Sequence, residues 1–194
     1  MKLEREFYNR SSLEVAKDLL GLNLVHVTDE GVTKGKIVEV EAYMGTKDKA
    51  AHSFRGKPTK RTEVMFGECG HAYVYMIYGM YYCMNVVANK IGTPEAVLIR
   101  ALEPISGIEL MTKRRKVKSI KQLCNGPGKL CIAMGISKEN NGMDLTSSSL
   151  YIEDVIEKEE FEIESSKRIN IDYAEEAKDF LWRYTIKGSK YISR

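Results

Sequence analysis

The chain has 194 residues, of which 43% are hydrophobic, and a formal net charge of +3. Chains divide into several domains only above roughly 250 residues, so we expect residues 1–194 to form a single domain. No apolar run approaches the ~18 residues of a membrane helix, and the charged residues 1–6 do not resemble a signal peptide. The four cysteines include no CxxC pair of the kind that binds zinc. These features argue against a membrane protein and a zinc site, and they favour a cytoplasmic protein.

The first part of the chain predicts a short helix and then a β-hairpin. Residues 11–14 (Ser-Ser-Leu-Glu) fit a helix-capping box, and the apolar side chains that follow keep helical spacing until Gly21. Residues 22–27 and 33–43 are typical of β-strands, and residues 28–31 form a turn signal between them. We therefore expect these two strands to pair.

The middle of the chain predicts a long loop and a second hairpin. Residues 45–61 lack periodicity, and loops of that length often carry function. Residues 72–78 and 81–88 are aromatic, β-prone runs on either side of Gly79. The hairpin tip is then expected at residues 78–80.

The rest of the chain alternates short strands with short helices. The predicted elements are a strand at 96–102, a helix at 106–115, a helix opened by residues 126–128, short strands at 150–153 and 161–164, and a closing strand at 184–186. Strands in neighbouring hairpins with helices apart from them indicate the α+β class. We expect one mostly antiparallel sheet with surrounding helices.

Two glutamates two residues apart are the first candidate for chemistry. Side chains alternate faces along a strand, so Glu39, Glu41 and Tyr43 share a face and the carboxylates lie ~7 Å apart. Like charges at that distance can raise one pKa, which suits general acid or base catalysis. The same spacing also suits an inverting glycosidase that acts on sugars. An edge strand with a polar outer face is the simpler alternative.

Five tyrosines within residues 73–82 form the second candidate. A tyrosine ring has a flat π face and a polar tip, so this set suits stacking on nucleic-acid bases. Tyr75 and Tyr78 have opposite strand parity, so one can face inward while the other projects from the hairpin tip. An aromatic ladder across paired strands is the alternative.

Three single polar residues stand in contexts that need partners. Asn85 lies in an apolar β-branched run and has to be hydrogen-bonded if it is buried. Arg100 lies inside an apolar strand, where pairing with a carboxylate or phosphate is expected. His52 lies in the long loop. The alternatives are a satisfied core asparagine, an ion pair at a strand end and an exposed loop histidine.

Six segments together resemble the alkyladenine (3-methyladenine) DNA glycosylases. The likeness runs in the same order, with little insertion, from about residue 7 to about residue 193. The segments are Ile37-Val38-Glu39-Val40-Glu41-Ala42-Tyr43, Ala50-Ala51-His52-Ser53, Tyr73-Val74-Tyr75-Met76-Ile77-Tyr78-Gly79-Met80-Tyr81, Cys83-Met84-Asn85, Leu98-Ile99-Arg100-Ala101-Leu102-Glu103-Pro104 and Cys124-Asn125-Gly126-Pro127-Gly128-Lys129-Leu130-Cys131. The resemblance implies a curved antiparallel sheet and a protruding hairpin that enters the DNA minor groove.

The resemblance also implies the catalytic roles. Glu41 matches the general base that deprotonates a water, and Arg100 matches the arginine that helps to hold this water and a nearby phosphate. The main chain near Ile171 matches another contact to the water. Glu39 becomes a supporting group, and the reaction needs no metal or other cofactor.

The remaining matched residues imply a pocket for a base that is flipped out of the duplex. Tyr43, His52 and Tyr75 match the residues that stack on the flipped base. Tyr78 matches the wedge that fills the gap left in the DNA, and Asn85 matches the residue that crowds the exocyclic amine of normal guanine. The implied activity is a monofunctional glycosylase that removes alkylated or deaminated purines and leaves an abasic site.

The partner implied by the resemblance is double-stranded DNA that contains damaged purines, and we expect a monomer. The pattern suits 3-methyladenine, 7-methylguanine, hypoxanthine and ethenoadenine alike. Asn170 and Asp172 stand where the family often carries glycines, which affects the pocket wall and the substrate range. A non-catalytic protein that binds lesions or single strands through the same tyrosines is the alternative.

Overall fold

A computed structural model describes residues 1–155 and 159–193. The strands are β1 (Asn23–Thr28), β2 (Gly31–Tyr43), β3 (Ala72–Ile77), β4 (Tyr81–Ala88), β5 (Glu95–Ser106), β6 (Leu150–Glu153), β7 (Ile163–Ser166) and β8 (Arg183–Ile186). The α-helices are α1 (Arg5–Tyr8), α2 (Ser12–Leu19), α3 (Ile108–Arg115) and α4 (Pro127–Met134). Short 3-10 helices cover Gly45–Lys47, Glu63–Phe66, Ile120–Gln122, Lys138–Asn140 and Glu175–Asp179.

The described strands form one sheet in which every neighbouring pair is antiparallel. The order is β3-β4-β5-β2-β1-β6, and β8 pairs with both β2 and β7. The long strand β2 pairs with β1 through its first half and with β8 at residues 39–41. Because β5 lies on the other side, the glutamates of β2 are in the interior of the sheet, and the edge-strand alternative is wrong.

The α+β class with a mostly antiparallel sheet is confirmed, and both predicted hairpins are present. β1 pairs with β2, and β3 pairs with β4 in register from Ala72 opposite Val86 to Ile77 opposite Tyr81. In the described part of the chain, no helix is long and apolar enough to cross a membrane. The assignment of residues 1–194 to a single domain stays a prediction.

Two predicted boundaries are shifted. The helix predicted from residue 106 begins at Ile108, because β5 continues to Ser106 and Gly107 separates the two elements. Gly107 has φ +74°, and a Cβ built on it would lie 2.3 Å from the Val32 carbonyl oxygen, so only glycine fits this turn. The strand predicted at 161–164 begins two residues later, at Ile163.

The main hydrophobic core lies where α2 packs on β2 and β5, and where α4 packs on β4 and β5. The Ser11 side chain caps α2 by accepting a hydrogen bond from the Leu13 N–H at 3.3 Å. The helix then buries Val15, Ala16 and Leu19 completely. A fully buried aliphatic side chain of this size contributes about 1.5–3 kcal/mol, so this packing holds the sheet in place behind the site.

The pairing of β2 with β5 is irregular where the charged residues lie. Its register passes from Ile37 opposite Leu102 to Glu39 opposite Ala101, and then to Val40 opposite Ile99. Val38 and Arg100 are therefore skipped in the pairing. A bulge of this kind bends a strand and redirects a side chain. Here it brings the Arg100 side chain to the two glutamates of β2.

Candidate active site

A cavity of about 770 Å³ opens between the β3–β4 hairpin, the middle of β5 and the segment around residue 170. This volume lies within the range of about 300–1,000 Å³ that is usual for small-molecule sites. Of the predicted site residues, those that line the cavity are Tyr43, His52, Tyr75, Tyr78, Asn85, Arg100 and Ile171. Glu41 is not one of the lining residues and lies directly behind them.

The Glu41 carboxylate has no exposed surface and is held by residues of the cavity wall. Its Oε2 accepts a hydrogen bond from the Tyr43 hydroxyl at 2.8 Å and lies 3.4 Å from Nη1 of Arg100. Its Oε1 accepts a hydrogen bond from the Ile169 main-chain N–H at 2.8 Å. Tyr43, Arg100 and Ile169 all line the cavity, so the carboxylate is next to the aromatic pocket and away from bulk solvent.

Glu39 is equally buried and gathers a larger set of donors. Its Oε1 accepts from Nε of Arg100 at 2.9 Å, from Nε of Arg183 at 2.7 Å and from the Ser193 hydroxyl at 2.7 Å, and its Oε2 accepts from the Ser193 N–H. Burial favours the protonated form, but the Ser193 N–H and the Arg100 charge outweigh it and lower the pKa of Glu39. Glu39 is thus an ionised carboxylate that holds Arg100 from behind.

Arg100 lies between the two carboxylates and is 7% exposed. Burial alone disfavours its charge, yet Glu41 and Glu39 together raise the pKa of the guanidinium. A buried charge that is paired on two sides is costly to unpair. Because Arg100 is in the interior of β5, the alternative of an ion pair at a strand end is wrong.

One wall of the cavity is a cluster of aromatic rings. The His52 ring meets the Tyr75 ring edge-on, with centroids 4.5 Å apart, and its Nδ1 is 3.0 Å from the Tyr73 hydroxyl. The guanidinium of Arg61 lies 4.9 Å from the Tyr75 ring centre. Although part of the residue stays exposed, loss of hydration of the ring within this cluster, and then the Arg61 charge, lower the pKa of His52 to about 4. His52 is therefore neutral at pH 7.

Tyr43 also lines the cavity, and a buried ion pair supports its ring. Arg168 lies 4.7 Å from the Tyr43 ring centre and pairs with Asp48, whose Oδ1 is 2.9 Å from Nη2 of the arginine. Both charged side chains are completely buried. Burial and the neighbouring Glu41 raise the pKa of Tyr43 far above its usual value, so its hydroxyl keeps its proton.

Asn85 and Ile171 complete the inner wall. Asn85 is 4% exposed, and its amide donates a hydrogen bond to the Tyr73 carbonyl oxygen at 3.1 Å. The Ile171 side chain packs with Ala50 beneath Tyr43. Asn170, where the family often has glycine, has φ +59°, a conformation that asparagine tolerates better than most residues. This explains how the chain turns here without a glycine.

The tip of the β3–β4 hairpin is at the mouth of the cavity. Tyr78 is 79% exposed and Met80 is 66% exposed. Tyr78 and Gly79 both have positive φ values, 50° and 70°, as the two central residues of a tight hairpin turn require. The turn therefore presents Tyr78 to solvent while Tyr75, on the same strand run, lines the pocket.

Several site contacts are with residues that the sequence did not single out. The Ile169 N–H contacts Glu41 across 128 positions of sequence, and Arg183 and Ser193 contact Glu39 across 144 and 154 positions. Arg168 contacts the Tyr43 ring and is itself paired with Asp48. None of them lies in a recognisable motif, and the Ile169 contact is made by the backbone. In the described residues, no group of three or more His, Cys, Asp or Glu side chains could hold a metal ion.

Comparison with known proteins identifies the family of this chain. The family model described as methylpurine-DNA glycosylase matches residues 6–190. The chain belongs to the methylpurine-DNA glycosylase family. This glycosylase is 58% identical to a candidate 3-methyladenine DNA glycosylase of Clostridium acetobutylicum over 201 residues, which cover 100% of this chain and 98% of the relative.

Further relatives agree in name and coverage. A candidate 3-methyladenine DNA glycosylase of Alkaliphilus oremlandii is 56% identical, and one of Bacillus cereus is 52% identical, each over 100% of both chains. The resemblance in the sequence is thereby confirmed. The glycosylase is a hydrolase of N-glycosyl bonds that acts on DNA in base excision repair.

Proposed function

We propose that this glycosylase flips alkylated or deaminated purines out of duplex DNA and hydrolyses the N-glycosyl bond with a water that Glu41 deprotonates. The observation that carries the proposal is the position of Glu41. A fully buried carboxylate is bonded to Tyr43, Arg100 and Ile169, and all three line an aromatic cavity large enough for a base.

Stacking supplies the binding energy for the flipped base. Extruding a nucleotide from the duplex costs a few kcal/mol, and each base stacked on an aromatic side chain recovers about 1–3 kcal/mol. Tyr43 and Tyr75 are the rings of the cavity that can take the two faces of a purine, with His52 edge-on to Tyr75. Asn85 limits the space in the wall and thereby excludes the exocyclic amine of guanine.

The hydrogen bonds of Glu41 leave one place for a water. A carboxylate oxygen has two lone pairs. Oε2 is engaged by Tyr43 and Arg100, whereas the only described donor to Oε1 is the Ile169 N–H. We place the attacking water on the second lone pair of Oε1. Glu41 has no exposed surface in the free protein, so a water reaches Oε1 only after a side chain around the carboxylate shifts.

The reaction balances without a covalent intermediate on the protein. Glu41 takes one proton from the water, and the resulting hydroxide oxygen forms the new bond to C1′ of the sugar. The bond between C1′ and the base breaks, and its electron pair leaves with the base. A purine methylated at a ring nitrogen, such as 7-methylguanine, is cationic and leaves as a neutral base. An uncharged lesion, such as hypoxanthine or ethenoadenine, leaves with a negative charge and takes a proton from solvent. Nη1 of Arg100 lies 3.4 Å from Oε2 of Glu41, so its positive charge faces the carboxylate that receives the proton.

The tip of the β3–β4 hairpin contributes to DNA binding. Tyr78 inserts into the space that the flipped nucleotide vacates, so that the duplex keeps its stacking. We propose a monomer as the active unit.

The decisive experiment is incubation with duplexes that carry hypoxanthine, 7-methylguanine or ethenoadenine, followed by measurement of free base and of abasic sites. Release of base at a rate that Glu41→Gln abolishes supports the proposal. Tight lesion binding without release points to the alternative, a non-catalytic protein that binds lesions or single strands. Turnover of sugar glycosides with indifference to DNA would instead identify a carbohydrate hydrolase.

A further inference from the structure

The segment that follows β8 returns to the site and ends against its charged residues. Ser193 donates its N–H and its hydroxyl to Glu39, and the same hydroxyl accepts a hydrogen bond from Nη2 of Arg100 at 3.2 Å. Nε of Arg100 also donates to Glu39, so the three residues form a closed ring of hydrogen bonds. The family match covers residues 6–190, and Ser193 lies outside it.

We propose that Ser193 is a positioning residue for N-glycosyl hydrolysis, because it fixes the orientation in which Arg100 faces Glu41. This inference rests on the function proposed above. Nη1 of Arg100 lies 3.4 Å from Oε2 of Glu41 while Nε and Nη2 of the same guanidinium are engaged by other residues. Glu39 holds Nε and Ser193 holds Nη2, so the guanidinium plane is fixed at two of its nitrogens.

Ser193 also completes the shell of donors that keeps Glu39 charged. A fully buried carboxylate needs several donors to stay ionised. The charged groups that face Glu39 are Arg100 from β5 and Arg183 from β8, with Glu41 on the far side of Arg100. Ser193 provides the remaining two hydrogen bonds. If Glu39 were protonated, its hold on Arg100 would weaken, and so would the electrostatic support of Glu41.

The test compares Ser193→Ala, Ser193→Thr and Ser189→Ala in single-turnover base release with enzyme in excess over a hypoxanthine duplex. Ser189 is the matched control, because it belongs to the same segment and its hydroxyl contacts the Tyr191 N–H. Hydrogen bonds to charged groups are individually strong, so we expect Ser193→Ala to slow release about tenfold. Threonine keeps the hydroxyl and should restore most of the rate, and Ser189→Ala should match the unmodified protein.

The pH dependence separates positioning from a purely structural role. In Ser193→Ala, Glu39 loses a donor and takes up a proton at higher pH, so the acid limb of the pH–rate profile should move to higher pH. Binding of a duplex with an uncleavable lesion should change less than twofold. An unchanged rate and acid limb in a folded Ser193→Ala protein overturn the inference alone. If the unmodified protein releases no base from any lesion, the proposed function and this inference both fail.

Discussion

The floor of the cavity and the tip of the β3–β4 hairpin differ in whether their side chains have contacts before DNA binds. We call Glu39, Glu41 and Arg100, which lie at and directly behind the cavity lining, the floor. All three are buried, and each has hydrogen bonds or ion pairs in the free protein. At the tip, the side chains of Tyr78 and Met80 are mostly exposed to solvent in the free protein. The floor is therefore organised before DNA binds, whereas the tip gains its contacts only from DNA.

This difference separates the effects of substitution. A change on the floor leaves a buried charge unpaired or removes the reacting group, so it should affect rate and folding stability. A change at the tip removes no internal contact, so it should affect DNA affinity alone. Three substitutions test that division, and a fourth tests the aromatic wall.

The largest effect is expected for Glu41→Gln, which removes the carboxylate that acts as general base but keeps the shape of the side chain. General base catalysis contributes about a hundredfold to ten-thousandfold, so base release should fall by about three orders of magnitude. Lesion affinity should stay within about threefold, because the aromatic walls are unchanged. Undiminished turnover would contradict the assignment, and Glu164→Gln, at an exposed position of β7, is the control.

Arg100→Ala should be next, with stability as the readout. Removing one partner of a buried ion pair typically costs about 3–5 kcal/mol, because the remaining charge is left unpaired. Here two carboxylates lose their common partner. Urea denaturation should show the loss at pH 7, and a smaller loss at pH 4, where a carboxylate without its partner can accept a proton. A loss below about 1 kcal/mol would mean that the floor is not organised by this arginine.

Tyr78→Ala should weaken binding to a lesion duplex about tenfold, within the range of about 1–3 kcal/mol that one aromatic–base stack contributes. Its free energy of unfolding should stay within about 0.5 kcal/mol, as for surface positions in general. Fluorescence anisotropy and urea denaturation measure the two quantities. Ile91→Ala is the control, since Ile91 is 67% exposed and lies outside the cavity lining. Equal affinity of the two variants would remove the wedge from the proposal.

The smallest effect is expected at His52, whose pKa is lowered to about 4. The unfolded chain takes up a proton near pH 6.5, but the folded protein does so only near pH 4. Between these values the unfolded state binds more protons, so the unmodified protein should lose stability as the pH falls.

His52→Asn has no such group and should show a shallower loss of stability over the same pH range. An NMR titration of the His52 ring gives the pKa directly. Arg61→Ala should raise the pKa of His52, because the Arg61 charge contributes to lowering it. The pKa should stay below 6.5, because burial of the ring is the larger cause and is retained. A His52 pKa near 6.5 in the folded protein would show that the ring is solvated and not held in the wall.

Most of the elements could be predicted from the sequence because their signals are local. Alternating apolar residues indicated β1, β2, β3 and β4, and Gly79 indicated the turn at the hairpin tip. The errors occurred at boundaries where a neighbour decides. Ser106 extends β5 because it pairs with Lys34 of β2, a contact that the local sequence cannot reveal.

Most of the candidate site residues were found from the residues themselves, whereas their roles and Ile171 came from the resemblance. The structure brings them together in and directly behind the lining of one cavity. Their supporting contacts were not predictable. The bulge that redirects Arg100 is a property of two paired strands, and the Ile169 contact to Glu41 is made by a backbone group that every residue carries.

The sequence by itself determined the pattern of strands and helices, the tyrosine-rich hairpin and the family. The spacing of apolar residues, the turn residues and the family motifs are all properties of residues that are close together in the chain. The tertiary structure decided the electrostatic state of the site. Glu39 and Glu41 are fully buried and held in place by Arg100, Arg183, Ser193 and the Ile169 N–H, whose positions depend on segments far apart in the chain. These contacts lower the pKa of Glu39. A carboxylate's ionisation depends on burial and on the donors around it, and both exist only after folding.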